Sequence, residues 1–286
     1  MHFVQARSIL TKWNGVNVYR GCSHGCIYCD SRSECYHFTH PFEDIEVKEN
    51  APELLEKALS SKRKKCVIGS GSMSDPYQPC EKELGMTRRC LEVIKEKGFG
   101  ATVITKSDLV LRDINLFESI NRRTKATVQM TLTCADIGLS RILEPNVCDT
   151  RHRYEVLKEL QRHGIPTVVW MTPLLPFLTD TRENVDGILE YCIDAGVKGI
   201  VCFGIGMTLR QGNREYYYEA LDRHFPGLSD RYRSMYGDSY NIVSPNNKEL
   251  MEHFHSVCER NGILHTPEDC FSYIAEIPSR QRTLFD

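Results

Sequence analysis

Between residues 15 and 205 the chain alternates short apolar, β-branched runs with amphipathic stretches of helix length, and this alternation restricts its fold more than any other feature. The runs cover 16–19, 66–68, 101–105, 126–132, 166–171 and 199–203, and helical stretches fall at 52–59, 87–97, 112–119, 153–162 and 182–195. Strands separated by helices predict parallel βαβ units with right-handed crossovers, hence an α/β fold. Gly98, Gly164 and Gly196 follow three of the helices as C-terminal stops. Six such units can build an open doubly wound sheet or a partial barrel, and periodicity does not separate the two. The 286 residues, 41% hydrophobic, suffice for one large domain or two small ones and contain no membrane-spanning run. Beyond residue 205 the sequence turns aromatic and helical. Leu250, Phe254 and Val257 recur at helical spacing within 247–260, with Gly262 beyond, which predicts a helix packed back on the first unit.

Directly after the first predicted strand, residues 21–30 place Cys22, Cys26 and Cys29 in a Cys-x3-Cys-x2-Cys run. In parallel α/β folds ligands gather at the carboxyl ends of strands, where this loop belongs. Soft thiolates suit iron–sulfur chemistry, and three of them leave one iron of a [4Fe–4S] cluster without a protein ligand. Zinc would want four ligands, no second pair is evident downstream, and His24 would have to complete the site from inside the same tight loop. The opening Met-His-Phe-Val-Gln carries no apolar signal segment, which predicts a reducing cytoplasmic setting and argues against disulfides. Of the thirteen cysteines, those outside the run are scattered and read as small core residues, except Cys35 and Cys80 in polar loops. Thirty-six basic against thirty-eight acidic residues exclude a global polycation. Any nucleic acid must therefore meet a local patch, such as 62–65, 122–125, 151–153 or 231–233.

Further motifs fall at the predicted strand ends. The second strand runs into Gly69-Ser70-Gly71-Ser72, small residues that let a backbone approach a ligand closely, and then into Asp75-Pro76-Tyr77-Gln78-Pro79. The third ends in Thr105-Lys106-Ser107, its lysine either a solvated rim residue or a carboxylate partner. The fourth ends in Thr131-Leu132-Thr133, whose alternating hydroxyls face one side. Leu143-Glu144-Pro145 precedes Arg153, which is either a fork-shaped carboxylate clamp or an exposed first-turn residue. Residues 173–180 cap the fifth strand and are expected to close the mouth of the site.

The cysteine run resembles the signature of the radical S-adenosylmethionine enzymes. Together with Asp75-Pro76-Tyr77-Gln78-Pro79 and Thr105-Lys106-Ser107 it resembles the spore photoproduct lyase-like branch over most of residues 15–205. The resemblance implies a (β/α)6 partial barrel over 1–205, with a helical extension over 206–286 packed on it and ending in an exposed tail. It implies a [4Fe–4S] cluster on Cys22, Cys26 and Cys29, and S-adenosylmethionine on its open iron, cleaved with an electron from an external donor to a 5′-deoxyadenosyl radical. Around that cofactor it places Tyr28 near the adenine and the Ser70, Gly71, Ser72 turn on the amino group. Lys106, Thr131, Thr133 and Arg153 complete the expected cofactor site. The implied activity is that of a lyase-like enzyme acting on a nucleic-acid base lesion or modification, with DNA as the expected substrate. A small molecule or protein side chain as substrate, and a non-enzymatic redox or metal-binding module, are the competing readings. Asp30 departs from the aromatic residue of authentic spore photoproduct lyase, and Cys35 and Cys80 are the candidate hydrogen donors. At the end of the sequence, Gln281-x-x-Leu284-Phe285 resembles a peptide that docks on the replicative sliding clamp.

Overall fold

In a computed structural model the described residues are 1–278. The clamp-like motif of Gln281, Leu284 and Phe285 lies outside them. The strands are β1 (His2–Val4), β2 (Tyr19–Arg20), β3 (Glu46–Lys48), β4 (Val67–Ser70), β5 (Gly100–Thr105), β6 (Ala126–Thr131), β7 (Thr167–Trp170), β8 (Gly199–Val201), β9 (Gly206–Thr208) and β10 (Asn241–Val243). The helices are α1 (Ala51–Ser61), α2 (Glu81–Leu84), α3 (Met86–Glu96), α4 (Ile114–Arg123), α5 (Ile137–Leu143), α6 (Thr150–Arg162), α7 (Arg182–Asp194), α8 (Asn213–His224), α9 (Leu228–Tyr236), α10 (Asn247–Arg260) and α11 (Pro267–Ala275).

Five of the six predicted strands form one parallel sheet in the order β4-β5-β6-β7-β8. Sequence order and spatial order coincide, so the sheet is wound in one direction, as in a barrel, and lacks the reversal of a doubly wound sheet. Every residue of β6 is buried: β5 and β7 pair both of its edges, and packed helices and the interior side of the sheet cover its faces. The first predicted strand behaves differently. Val16 donates its N–H to the Gly69 carbonyl at 2.7 Å and Gly15 bridges Gly69 in parallel, but Tyr19 and Arg20 are already paired antiparallel with Val47 and Glu46 of β3. The expected sixth barrel strand is thus reduced to a bridge, since an N-terminal sheet of order β1-β3-β2 captures its end.

Local signals account for the helices. Asp149 and Thr181 cap α6 and α7 by accepting from backbone N–H groups three residues on. Gly98, Gly164 and Gly196 take the left-handed conformation (φ 69°, 65° and 62°) that ends α3, α6 and α7. Residues 206–278 are not purely helical, because β9 and β10 form an antiparallel ribbon. Nor does packing stop at residue 205. Leu250, Phe254 and Cys258 of α10 join the same core as Val185, Ile188 and Leu189 of α7, and Leu264 extends the sheet beside Gly199.

Candidate active site

The cysteine loop lies at the carboxyl ends of the strands, held by backbone that glycine alone permits. Gly21 has φ +87°, and a Cβ there would sit 2.4 Å from the Phe42 carbonyl oxygen. Two segments clamp the loop from opposite sides. Gln78 accepts from the Ser23 N–H at 3.1 Å and donates from Nε2 to the Gly21 carbonyl at 3.3 Å. Asn146 donates from its side chain to the Ser23 carbonyl and from its backbone to the His24 carbonyl, while Ile27 N–H reaches the Leu143 carbonyl at 3.0 Å. The Asp75-Pro76-Tyr77-Gln78-Pro79 motif is therefore scaffold. Asp75 accepts from Tyr77 N–H (2.8 Å), Thr105 Oγ1 (2.7 Å) and Lys106 N–H (2.8 Å), and its Oδ2 lies 3.5 Å from His24 Nδ1. Tyr77 donates to Asp113, which Arg88 and Arg112 neutralise at 2.6 and 2.8 Å.

Cys22, Cys26 and Cys29 line one cavity of about 140 Å³ with Gly71, Ser72 and Lys106. Gly71 has φ +106°, and a Cβ there would lie 2.2 Å from the Ile104 carbonyl oxygen, so the close backbone approach expected of this turn is real. Among the described residues, one group of three potential ligands has all its donor atoms within 4.8 Å, and it lies elsewhere, at His2, His40 and Glu46. The three thiols line one cavity, which fits a cluster that takes a separate iron to each thiolate. Burial, then Asp75, pushes the Cys22 thiol up to about 12, and burial raises Cys26 further, so cluster assembly must displace protons. Burial lowers His24 below the ordinary histidine range against the pull of Asp75, leaving the ring neutral at neutral pH.

Behind the cavity lies a buried ion pair. Arg153 and Glu144, 0% and 1% exposed in their side chains, bond directly to one another, and Tyr28 donates its hydroxyl to the other Glu144 oxygen. Burial alone would raise the Glu144 carboxyl, but Arg153 and Lys106 outweigh it and hold the group ionised. Burial likewise opposes the charge of Lys106, and Cys26, Glu144 and Asp75 together hold its ammonium above the ordinary lysine range. Its Nζ lies 5.7 Å from the Tyr28 ring centre.

A second and larger cavity, about 730 Å³, opens beside the first and shares Tyr28, Cys29 and Lys106 with it. Its wall carries Trp170 and Phe203, with ring centres 5.9 Å apart, and Phe271 packs against both at 6.0 and 6.2 Å. Trp170 is fixed by donating from Nε1 to Gln129 Oε1 at 2.7 Å, and Gln129 in turn donates to Thr102 Oγ1 at 2.8 Å. Phe203 is 60% exposed.

A profile of the Radical SAM superfamily matches residues 16–192. The chain belongs to that superfamily. Its cofactors are a [4Fe–4S] cluster and S-adenosylmethionine, and the three convergent thiols fit the first. The uncharacterized protein Rv2578c of Mycobacterium tuberculosis is 30% identical over 232 residues, 77% of this chain and 66% of that protein. The chain thus spans just under two thirds of the mycobacterial relative's length. The uncharacterized protein MJ0683 of Methanocaldococcus jannaschii is 34% identical over 232 residues, 80% of this chain and 78% of that one. Among solved structures, spore photoproduct lyase complexed with dinucleoside spore photoproduct superposes with a TM-score of 0.63 at 13% identity, covering 92% of this chain and 80% of that one. A mutant of that lyase with bound AdoMet and the same dinucleoside gives 0.62 at 12% identity, over 87% and 74% of the two chains. These likenesses establish a shared fold.

Several expected site residues are placed otherwise. Tyr28, Gly71, Ser72, Lys106 and Thr131 line the cluster cavity, but Ser70 does not. It lines a separate small void with Ile68, two residues back on the same face of β4. Thr133 is buried off the cavity, past the end of β6. Arg153 does clamp a carboxylate, but that of Glu144, and it also donates to the Thr131 and Cys148 carbonyls. Neither candidate hydrogen donor lines either cavity. Cys35 is exposed with its sulfur 3.2 Å from Arg210 Nη1, and Cys80 packs half-buried against the core. Gln78, Asn146 and the Trp170–Phe203–Phe271 group are site residues that no local sequence motif marks as such. An aromatic at the end of two adjacent predicted strands was the available signal for the last.

Proposed function

We propose that this chain is a radical S-adenosylmethionine enzyme that abstracts hydrogen from a nucleic-acid base lesion or modification seated in the 730 Å³ cavity. One observation carries the reading. An exposed aromatic wall stands in the cavity that adjoins the cluster cavity through Tyr28, Cys29 and Lys106, and base stacking on such a ring is worth about 1–3 kcal/mol per base. The lyase-like fold supports it. When bound, the reduced cluster supplies the electron that cleaves S-adenosylmethionine to a 5′-deoxyadenosyl radical.

The chain's own residues prepare that chemistry. Gly71 and Ser72 bring backbone to the cavity wall, and Thr131 and Lys106 supply a hydroxyl and a cation for the polar groups of S-adenosylmethionine. Arg153 acts indirectly, keeping Glu144 ionised and so holding the Tyr28 ring that separates the two cavities.

Trp13 and Trp170 are the two tryptophans, so a Trp13→Phe protein reports on Trp170 alone. Titration with single-stranded oligonucleotides should quench Trp170 fluorescence, and anaerobic release of 5′-deoxyadenosine should rise when the strand carries the lesion. Unquenched fluorescence and release indifferent to every oligonucleotide would turn the reading toward a small molecule or protein side chain, which the net charge of −2 would also suit.

A further inference from the structure

Away from both cavities, the N-terminal sheet and the loop before β3 bring His2, His40 and Glu46 together, with one potential ligand atom from each inside a 4.8 Å span. His2 and Glu46 are direct register partners across β1 and β3. His40 arrives from the loop, with its ring centre 4.8 Å from that of His2. The two histidines are held in the same way. Nδ1 of His2 lies 3.1 Å from Asp44 Oδ2, and Nδ1 of His40 lies 3.0 Å from the Pro41 carbonyl oxygen. Each acceptor fixes a proton on Nδ1 and leaves a lone pair on Nε2, as outer-shell partners do in metal sites. The His40 Nε2 is itself buried without a hydrogen-bond partner, 3.8 Å from Glu46 Oε2.

An ordinary ion pair does not account for Glu46. The nearest cation, Arg20, approaches only to 3.8 Å, with its Nη2 committed to the Tyr36 and His37 carbonyls at 2.8 and 2.9 Å and its guanidinium over the Phe38 ring. We propose that His2, His40 and Glu46 form a second metal site, for a borderline divalent cation such as zinc, with Nε2 of each histidine and the carboxylate as ligands and an open fourth position. Such an ion ties β1 to β3 and to the segment whose Phe42 carbonyl accepts from Cys22 N–H. It is a staple on the outer frame of the cluster loop.

The test uses anaerobic protein with its iron–sulfur cluster already loaded, so that the cysteines are occupied. After equilibrium dialysis against zinc, metal analysis should find one zinc per chain beyond the iron, and its X-ray absorption edge should show nitrogen and oxygen neighbours without sulfur. His40→Ala and Glu46→Gln should each weaken zinc binding at least tenfold, and Asp44→Asn by less. His2→Ala, on the short edge strand and outside the core, provides an independent loss of a ligand should the His40 variant fold poorly. Absence of retained zinc, sulfur in its coordination shell, or equal zinc in the native and His2→Ala proteins would each overturn the site.

Discussion

The two adjoining cavities are built in opposite ways. The cluster cavity has walls of backbone and small residues, locked by Gln78, Asn146 and Asp75 and backed by the buried Arg153–Glu144 pair. The larger cavity presents aromatic surface and is framed partly by β9 and β10, well after the parallel sheet in sequence. A bound cofactor presents the same polar groups every time, so fixed donors and acceptors serve it. An aromatic wall suits a flat ring whose polar edge varies. The difference teaches that preorganisation here is concentrated where the chemistry begins.

If that contrast is right, damage on the cluster side should be severe and damage on the aromatic side selective. Cys26→Ala should abolish the cluster, with iron and sulfide falling to background in reconstituted protein. Glu144→Gln leaves Arg153 charged and buried without its partner, so it should cost about 3–5 kcal/mol in chemical denaturation. Gln78→Ala strips two bonds from the cluster loop, at a cost of about 1–3 kcal/mol, and should hasten bleaching of the cluster in air. Phe203→Ala should leave unfolding within about 0.5 kcal/mol of the native protein, because the ring is largely exposed, yet weaken oligonucleotide binding severalfold. An equal loss of cluster in the Phe203 and Gln78 variants would erase the contrast.

The smallest effect concerns pH. Burial would raise the Asp149 carboxyl, but bonds from His152 and Arg141 lower it to about 2 from its ordinary 3.8. A depressed carboxylate contributes stability that is complete above the unfolded value and is lost as pH falls from about 4 through about 2. Both partners are well exposed, so solvent screening limits the contribution to roughly 1 kcal/mol. Asp149→Asn should flatten that part of an acid unfolding profile.

Local periodicity made the parallel sheet legible. The β-branched runs at 101–105 and 126–132 became β5 and β6 almost residue for residue, and glycines ended the helices where expected. The cysteine spacing likewise marked the cluster loop. What stayed hidden depends on partners distant in sequence. Tyr19 ends in β2 because Val47 pairs with it, and Arg153 turns inward because Glu144 waits there. Asp75-Pro76-Tyr77-Gln78-Pro79 was visible as a motif, but its use as scaffold was not, since the Ser23 and Thr105 groups it bonds lie on the cysteine loop and at the end of β5. Cys35 and Cys80 had only loop composition to recommend them, and composition carries no direction.

The bridge between Gly199 and Leu264 bears on how the chain is made. Emerging from a ribosome, β8 is complete some sixty residues before the segment that covers its free edge. Through that interval the nascent sheet exposes the unpaired backbone of Lys198 and Ile200, which Leu264 later pairs, and the Val168 and Val201 side chains, which Cys270 and Ile274 of α11 later cover. Closure of the sheet edge therefore waits for synthesis of the segment around Leu264. A chain truncated after residue 205 and released should be a client for chaperones, and one that continues past residue 275 should not.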